Sequence, residues 1–342
     1  RRETVLLCRS DEIMNMLNLE MKSKKHRDKI AKLKALDDKD LAQVGPALKR
    51  FCQRLDFSIG KGSEGTHVYV GIMDDGSLVA VKRMLTACCK ESAENEDEIL
   101  RRVIKTERSP FIVNYRSFLK DTTFVYLIVD LCEETLKEHV ESRSIQYLKK
   151  HGRGMIKQIF SGLEFLHGHN ILHRDLKPLN VLVDITNRMR LADFGLSLVL
   201  DDDETTLYTF AKGTTNWMPP EVIKVIEEGN VGEKGPFKKK SDVHVAGMIA
   251  FFILSKGEHP FGSPSKRMTN ILKGKPLNLE ILEDRVAKDF ISLLIHHNIH
   301  DRPYADEALR QPFLNQVKIS NELSQPKILH VSKDCVNPSA GI

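Results

Sequence analysis

Between Ile171 and Glu221 the chain sets three polar clusters in a fixed order, and no other stretch restricts it as strongly. The first runs His173-Arg174-Asp175-Leu176-Lys177-Pro178-Leu179-Asn180, the second is Asp193-Phe194-Gly195, and the third reads GTTNWMPPE from Gly213 to Glu221. Apolar strand-like runs, Val181 to Val183 and Met189 to Ala192, separate the first two. Short loops held by a rigid scaffold are the usual carriers of reactive groups. Asp193 offers a hard carboxylate of the kind a small divalent cation prefers. One such cluster means little; three in order, correctly spaced, leave coincidence a very small share.

These clusters resemble the signature loops of eukaryotic-type protein kinases, and the resemblance runs from about Leu55 to Leu314. It implies an α+β fold of two lobes: a small antiparallel-sheet N-lobe with one key helix, and a larger, mainly helical C-lobe. It also implies ATP and Mg²⁺ as cofactors. Phosphoryl transfer asks the protein for positioning and charge neutralisation more than for covalent chemistry. By resemblance Asp175 accepts the substrate hydroxyl's proton, Lys177 reaches the transferring phosphoryl group, and Asn180 and Asp193 hold Mg²⁺. The Lys177-Pro178 pair is similar to serine/threonine rather than tyrosine kinases.

Upstream, Gly60-Lys61-Gly62 and Gly65 sit between two alternating segments. A lone G-x-G-x-x-G is weak, because dinucleotide folds share it. There a helix follows the glycines; here Val68, Val70 and Ile72 alternate, which predicts a β-hairpin. The glycines then admit backbone amides to ATP phosphates, and Val68 and Ala80 line the nucleotide. His67 falls where the family usually has a valine over the adenine. Lys82 stands alone in the apolar run Leu78 to Met84, and a buried lysine needs an anionic partner. The family supplies phosphate and a helix glutamate. Glu96 fits best on the helix expected from Glu91 to Ile104, with Glu94 and Glu98 as alternatives.

Strands are expected over Phe111 to Phe118 and Thr123 to Leu131, and helices over Glu134 to Val140 and Met155 to His167. By resemblance Val129 is the gatekeeper, Asp130 to Cys132 the hinge that bonds the adenine edge, and Leu182 an apolar neighbour of the nucleotide. Asp193 to Glu221 matches the activation segment, with Thr205, Thr206 and Thr209 as phosphosite candidates and Arg174 as their charge partner. Thr214 is expected to brace the catalytic loop, Glu221 to pair with Arg302, and Asp242 to bond the H-R-D backbone. Residues 224–240 read as a surface loop, and Val245 to Leu254 as a buried helix too short to span a bilayer.

Several local strings narrow the resemblance: GKGSEGTHVYVG, LCEETLKEHV, SKGEHPFG and the QPF ending. Together they are similar to the kinase domain of the inositol-requiring kinase/endoribonuclease, the unfolded-protein-response sensor, and to its relative the 2-5A-dependent ribonuclease. In that family a ribonuclease module follows the kinase and back-to-back dimerisation activates it. The 28 residues after Leu314 are too few for such a module. A homodimer is implied only by this resemblance.

Residues 1–50 carry 13 Lys/Arg against 8 Asp/Glu, while the rest of the chain carries 39 of each. The basic character therefore belongs to an N-terminal arm (1–50), ahead of the N-lobe (51–131), the C-lobe (132–314) and a polar tail (315–342). The arm reads as a solvated linker or a helix packed on the body, ahead of a nucleic-acid or membrane contact. Six cysteines without metal spacing, in a chain without a signal peptide, point to reduced thiols and a cytoplasmic location. The chain opens on Arg1, as expected for the cytosolic part of a larger, membrane-anchored protein cut at its N-terminus. The leading functional expectation is a serine/threonine kinase that phosphorylates a protein substrate or its own activation segment in trans. The alternative is a nucleotide-operated scaffold whose dimerisation regulates a domain outside this chain.

Overall fold

The computed structural model describes residues 23–62, 65–106, 108–201, 206–210, 213–227 and 234–315. The helix expected near Leu6 to Leu17, the phosphosite candidate Thr205 and the tail after residue 315 lie outside the described residues.

The fold is α+β, with two lobes. Helix α1 (Arg27–Ala35) leads into strands β1 (Arg50–Phe51), β2 (Ser58–Lys61), β3 (His67–Ile72) and β4 (Leu78–Leu85). Helix α2 (Thr86–Thr106) follows, then β5 (Tyr115–Lys120) and β6 (Phe124–Asp130). These strands form one antiparallel sheet, ordered β1-β3-β4-β6-β5, with β2 also on β3. Alternation explains its two faces: Val79 and Val81 enter a core with Phe51, Phe57, Tyr69, Tyr126 and Ile128, while Ala80 and Lys82 point the other way.

The second lobe begins with β7 (Glu134–Thr135), α3 (Leu136–Ser142) and α4 (Ile145–Gly168). Short strands β8 (Ile171–Leu172), β9 (Val181–Val183), β10 (Met189–Leu191) and β11 (Leu198–Val199) carry the loops between them. Then come β12 (Leu207–Phe210), α5 (Pro220–Glu227), β13 (Lys234–Phe237) and α6 (Lys239–Leu254). Helices α7 (Arg267–Leu272), α8 (Arg285–Leu294), α9 (Ala305–Leu309) and α10 (Pro312–Asn315) close the lobe. Helix α6 is buried at every position from Ser241 to Ile253 and is the axis on which the others pack. Each fully buried Phe or Ile on it contributes about 1.5–3 kcal/mol.

Some expected boundaries move for local reasons. Helix α2 starts at Thr86, directly off β4, rather than at Glu91. Phe111 to Val113 do not extend β5; they bond Leu191 of β10 across the lobes. Helix α3 begins two residues late because Thr135 caps it, its hydroxyl accepting the Glu138 N–H while Glu138 accepts the Thr135 N–H. Residues 224–240 are not one loop: α5 runs to Glu227, and β13 pairs antiparallel with β12, joining this stretch to the activation segment. The arm is not a free linker at its C-terminal end, since Ile30 and Leu33 of α1 enter the N-lobe core.

Two glycines give opposite expectations. A Cβ on Gly247 of α6 would lie 2.7 Å from Leu294 Cβ, whereas one on Gly154 of α4 meets nothing within 4 Å. Gly247→Ala should destabilise by about 1–3 kcal/mol through overpacking. Gly154→Ala should stabilise by about 0.5–1 kcal/mol through helix propensity. Urea midpoints at constant m-value measure both, and equal shifts would refute the packing at α6.

Burial lowers the pKa of His139, His173 and His244, and draws His259 down to about 3. In the unfolded chain each protonates near the ordinary value of about 6.5. The unfolded state therefore binds more protons below that pH, and stability is lost as pH falls toward the folded values. The urea midpoint should be highest above about pH 7 and fall steadily toward pH 4; a midpoint that rises over this window would contradict the neutral burial of these rings.

Candidate active site

Lys82 occupies the face of β4 that looks away from the N-lobe core, opposite Val68 of β3. Its Nζ donates to Glu96 Oε2 at 2.8 Å and to Asp193 Oδ1 at 2.7 Å. Helical phase selects Glu96 from the three glutamates: it is buried on the inner face of α2, while Glu94 pairs with Lys120 at the surface and Glu98 is exposed and does not form this bond. Burial alone pushes Lys82 toward neutrality, but the charges of Asp193 and Glu96 outweigh it and hold its pKa above the ordinary value. The Lys82 charge in turn depresses Asp193.

Strand register corrects the expectation for His67. Cross-strand partners share a face, and His67 pairs with Arg83 whereas Val68 pairs with Lys82. His67 stacks on Tyr69, 6.0 Å between centroids, and its Nδ1 bonds the Gly65 carbonyl. Val68, not His67, covers the cleft beside Ala80. The hairpin closes through Gly62 N–H to the Thr66 carbonyl at 2.9 Å, and Gly65 takes φ 75°, a conformation glycine permits. Gly60 and Lys61 end β2 just before it.

The far wall is the hinge. Val129 of β6 lies opposite Ala80, and Asp130, the last residue of the strand, opposite Val79. Leu131 N–H donates to the Leu78 carbonyl at 3.3 Å, and Glu133 N–H to the Val183 carbonyl at 2.8 Å. Among the described residues the Cys132 N–H between them meets no backbone acceptor. Burial pushes the Cys132 thiol up to about 12. Leu182 of β9 packs against the core below. Asp130 is itself fixed by Asn114 and Arg116, at 2.9 and 2.5 Å.

Asp175 is nearly buried and both its oxygens are engaged. Oδ1 accepts from Thr214 Oγ1 at 2.7 Å; Oδ2 accepts from Lys177 Nζ at 2.6 Å and Asn180 Nδ2 at 2.9 Å. Lys177 also reaches Thr214 Oγ1 at 2.6 Å. Asn180 spends its Nδ2 on the Asp175 carbonyl and carboxylate, so its Oδ1 is turned to the other side. The Ala192 N–H to Asn180 backbone carbonyl bond, 2.9 Å, ties the Asn180 main chain to the residue just before Asp193. Asn180 and Asp193 thus offer neighbouring hard oxygens, a donor type suited to a small divalent cation. Among the described residues no group of three or more His, Cys, Asp or Glu could hold a metal alone, so such an ion would draw further oxygens from phosphate or water.

Backbone strain marks the same loops. Arg174 and Asp193 have φ of 65° and 68°, a region that costs a non-glycine residue about 1–3 kcal/mol. Asp242 of α6 holds the first: its Oδ1 accepts the Arg174 N–H and its Oδ2 the His173 N–H, both at 2.9 Å. The second is held from α2. Glu96 Oε1 accepts the Phe194 N–H at 3.1 Å, and Asn95 Nδ2 donates to the carbonyls of Phe194, Gly195 and Ser197. Asn95 was not singled out from the sequence; an asparagine beside the key glutamate on the same helix is the signal that could have found it.

Arg174 donates to the Leu196 carbonyl at 3.0 Å and lies over the Phe237 ring at 5.6 Å; burial lowers its pKa to about 10. Thr206 is half-buried ahead of β12, and Thr209 pairs with Gly235 in the β12–β13 ladder. Glu221 receives both terminal nitrogens of buried Arg302 at 2.9 Å, and Ser241 at 2.7 Å. A cavity of about 570 Å³ opens elsewhere, lined by His167, Lys238, Lys239 and Tyr304, and holds none of these groups. Convergent charge, not cavity size, locates the site.

Residues 54–314 match the protein kinase domain. The chain is 34% identical over 293 residues to the probable serine/threonine-protein kinase ireA of Dictyostelium discoideum, covering 76% of this chain and 28% of that protein. It is 31% identical over 266 residues to the serine/threonine-protein kinase/endoribonuclease IRE2 of Homo sapiens, covering 75% and 28%. Against the serine/threonine-protein kinase/endoribonuclease ire-1 of Caenorhabditis elegans the figures are 33% over 268 residues, 75% and 26%. The chain spans little more than a quarter of these relatives. The two-lobed fold, the convergence of Lys82, Glu96, Asp175, Asn180 and Asp193, and the match over 54–314 together place the chain in the protein kinase family.

Proposed function

We propose that this chain binds ATP with Mg²⁺ and transfers the γ-phosphoryl group to serine or threonine hydroxyls, including those of its own activation segment in a second copy. The observation that carries the reading is the complete set of catalytic groups, already engaged with one another: Lys82 on Glu96 and Asp193, and Asp175 aligned by Lys177, Asn180 and Thr214. Mg²⁺, when bound, neutralises phosphate charge and orients the leaving group; Asp193 and Asn180 are the residues that would hold it. Asp175 orients the incoming hydroxyl and accepts its proton, while Lys177 stays beside it to offset charge on the phosphoryl oxygens. Asp130 and Cys132 give the adenine edge its acceptor and donor, with Val68, Ala80, Val129 and Leu182 as apolar walls. The glycine turn at Gly60, Gly62 and Gly65 brings backbone amides to the phosphates. A phosphate on Thr206, Thr209 or Thr205 would pair with Arg174 and order the segment.

A second reading, the nucleotide-operated scaffold, draws on the relatives named serine/threonine-protein kinase/endoribonuclease. In it, ATP binding favours a homodimer that regulates a domain outside this chain. The direct bond of Lys82 to Asp193 fits both readings, because nucleotide binding would redistribute it in either. Placement in the cytosol belongs to this proposal as well.

Phosphate incorporation from labelled ATP tests the two. Asp175→Ala and Lys82→Ala should each lower Mg²⁺-dependent incorporation by at least about 100-fold. The parent rate should rise more than linearly with protein concentration if transfer occurs between copies. A parent without incorporation whose melting temperature still rises with ATP would reject the transferase in favour of the scaffold.

A further inference from the structure

The segment before the N-lobe grips the hinge. Ser23 and His26 are buried, and α1 inserts Ile30 and Leu33 into the N-lobe core. Arg50 holds the other end of α1 through the Leu33 and Leu36 carbonyls, and Lys29 reaches the Ser58 carbonyl at the start of β2. Its first residues cross to the second lobe. The N–H groups of Lys24 and Lys25 both donate to Glu133 Oε2, at 3.1 and 3.0 Å, and Lys25 Nζ meets Glu138 Oε1 of α3 at 2.8 Å. His26 Nε2 lies 3.2 Å from the Cys132 carbonyl and 3.0 Å from the Glu133 carbonyl. Carbonyls only accept, so this nitrogen carries the proton and shares it between them.

The peptide plane joining Cys132 to Glu133 is therefore pinned on both sides: its carbonyl by His26, its N–H by the Val183 carbonyl. The plane joining Asp130 to Leu131 is pinned by Leu78. Planar peptides leave only φ and ψ free, so the intervening plane, which carries the Cys132 N–H, is held by its two neighbours. We propose that His26 is a positioning residue for adenine recognition, and that the segment from Ser23 to Leu36 is a strap that fixes the hinge from outside the cleft. This rests on the reading of the cleft as an ATP site. His26 touches no nucleotide in this account; it acts through the hinge backbone.

The test is ATP and GTP affinity by calorimetry, together with kcat and KM for ATP, on the parent, His26→Ala and His26→Gln. Glutamine keeps an N–H₂ that can donate to both carbonyls. His26→Ala should weaken ATP binding about 5–10-fold, the loss expected for one or two buried hydrogen bonds, weaken GTP much less, and change kcat less than two-fold. His26→Gln should recover most of the ATP affinity. A folded His26→Ala with parental ATP affinity, or one that loses ATP and GTP equally without recovery in His26→Gln, would overturn the proposal. A parent that binds ATP but transfers no phosphate, with the His26→Ala affinity loss intact, would overturn only the transferase reading and support this one.

Discussion

The carboxylate of Asp242 does three things at once, and the catalytic loop depends on all of them. It accepts the N–H groups of His173 and Arg174 and the Nε2–H of His167. The loop needs this because Arg174 sits at positive φ, where a long side chain does not rest without restraint. Asp242 can supply it because it is buried in the first turn of α6, a helix enclosed at every position from Ser241 to Ile253, at the end where the helix dipole favours a negative charge. From that anchor the order passes outward. His173 holds the Ala192 carbonyl and packs on Phe194, so the Asp193 turn is fixed from below. Ser197 holds the His173 carbonyl in return.

The same turn is fixed from above by α2. Glu96 and Asn95 take four hydrogen-bonding groups of the segment 194–197, and Lys82 ties Glu96 to Asp193. A Cβ on Gly195 would lie 2.3 Å from Ser92 Oγ, so helix and turn are in contact with no space between them. The two lobes thus meet at a charged, hydrogen-bonded joint beside an apolar core that runs from Leu100 and Leu127 to Leu163 and Phe194. Three ionic groups, one positive and two negative, converge there, Glu96 buried and Lys82 and Asp193 open to the cleft, an arrangement that gains from a cation on Asp193 and an anion on Lys82 arriving as a pair.

What could be read in advance follows from range. Lys82, Asp175, Asn180 and Asp193 were legible because the chemistry fixes residue type and short spacing together. Glu221 and Arg302 were legible as a pair only through resemblance, since 81 residues separate them. Glu96 could not be separated from Glu94 and Glu98 without the phase of α2, which depends on where the helix begins, and it begins five residues earlier than its acidic stretch suggests. His67 was misplaced because one residue exchanges the faces of a strand, and only pairing with β4 fixes that Val68 rather than His67 shares the Lys82 face. The β12–β13 ladder is a non-local backbone contact, and the His26 imidazole meets hinge carbonyls more than a hundred residues away, so neither leaves a short-range pattern of residue types.

Cys132 sits in the hinge, where a small-molecule inhibitor would place its adenine-like edge. Its thiol is enclosed and its pKa is raised to about 12 by burial, so almost none is thiolate at neutral pH. An electrophilic warhead aimed at the hinge meets an enclosed thiol with little thiolate character, which turns selectivity toward reversible hydrogen bonding and shape. The neighbouring backbone offers more for selectivity: a hinge braced from behind by the segment from Ser23 to Leu36 presents its donor and acceptors in a narrower range of directions than an unbraced hinge does.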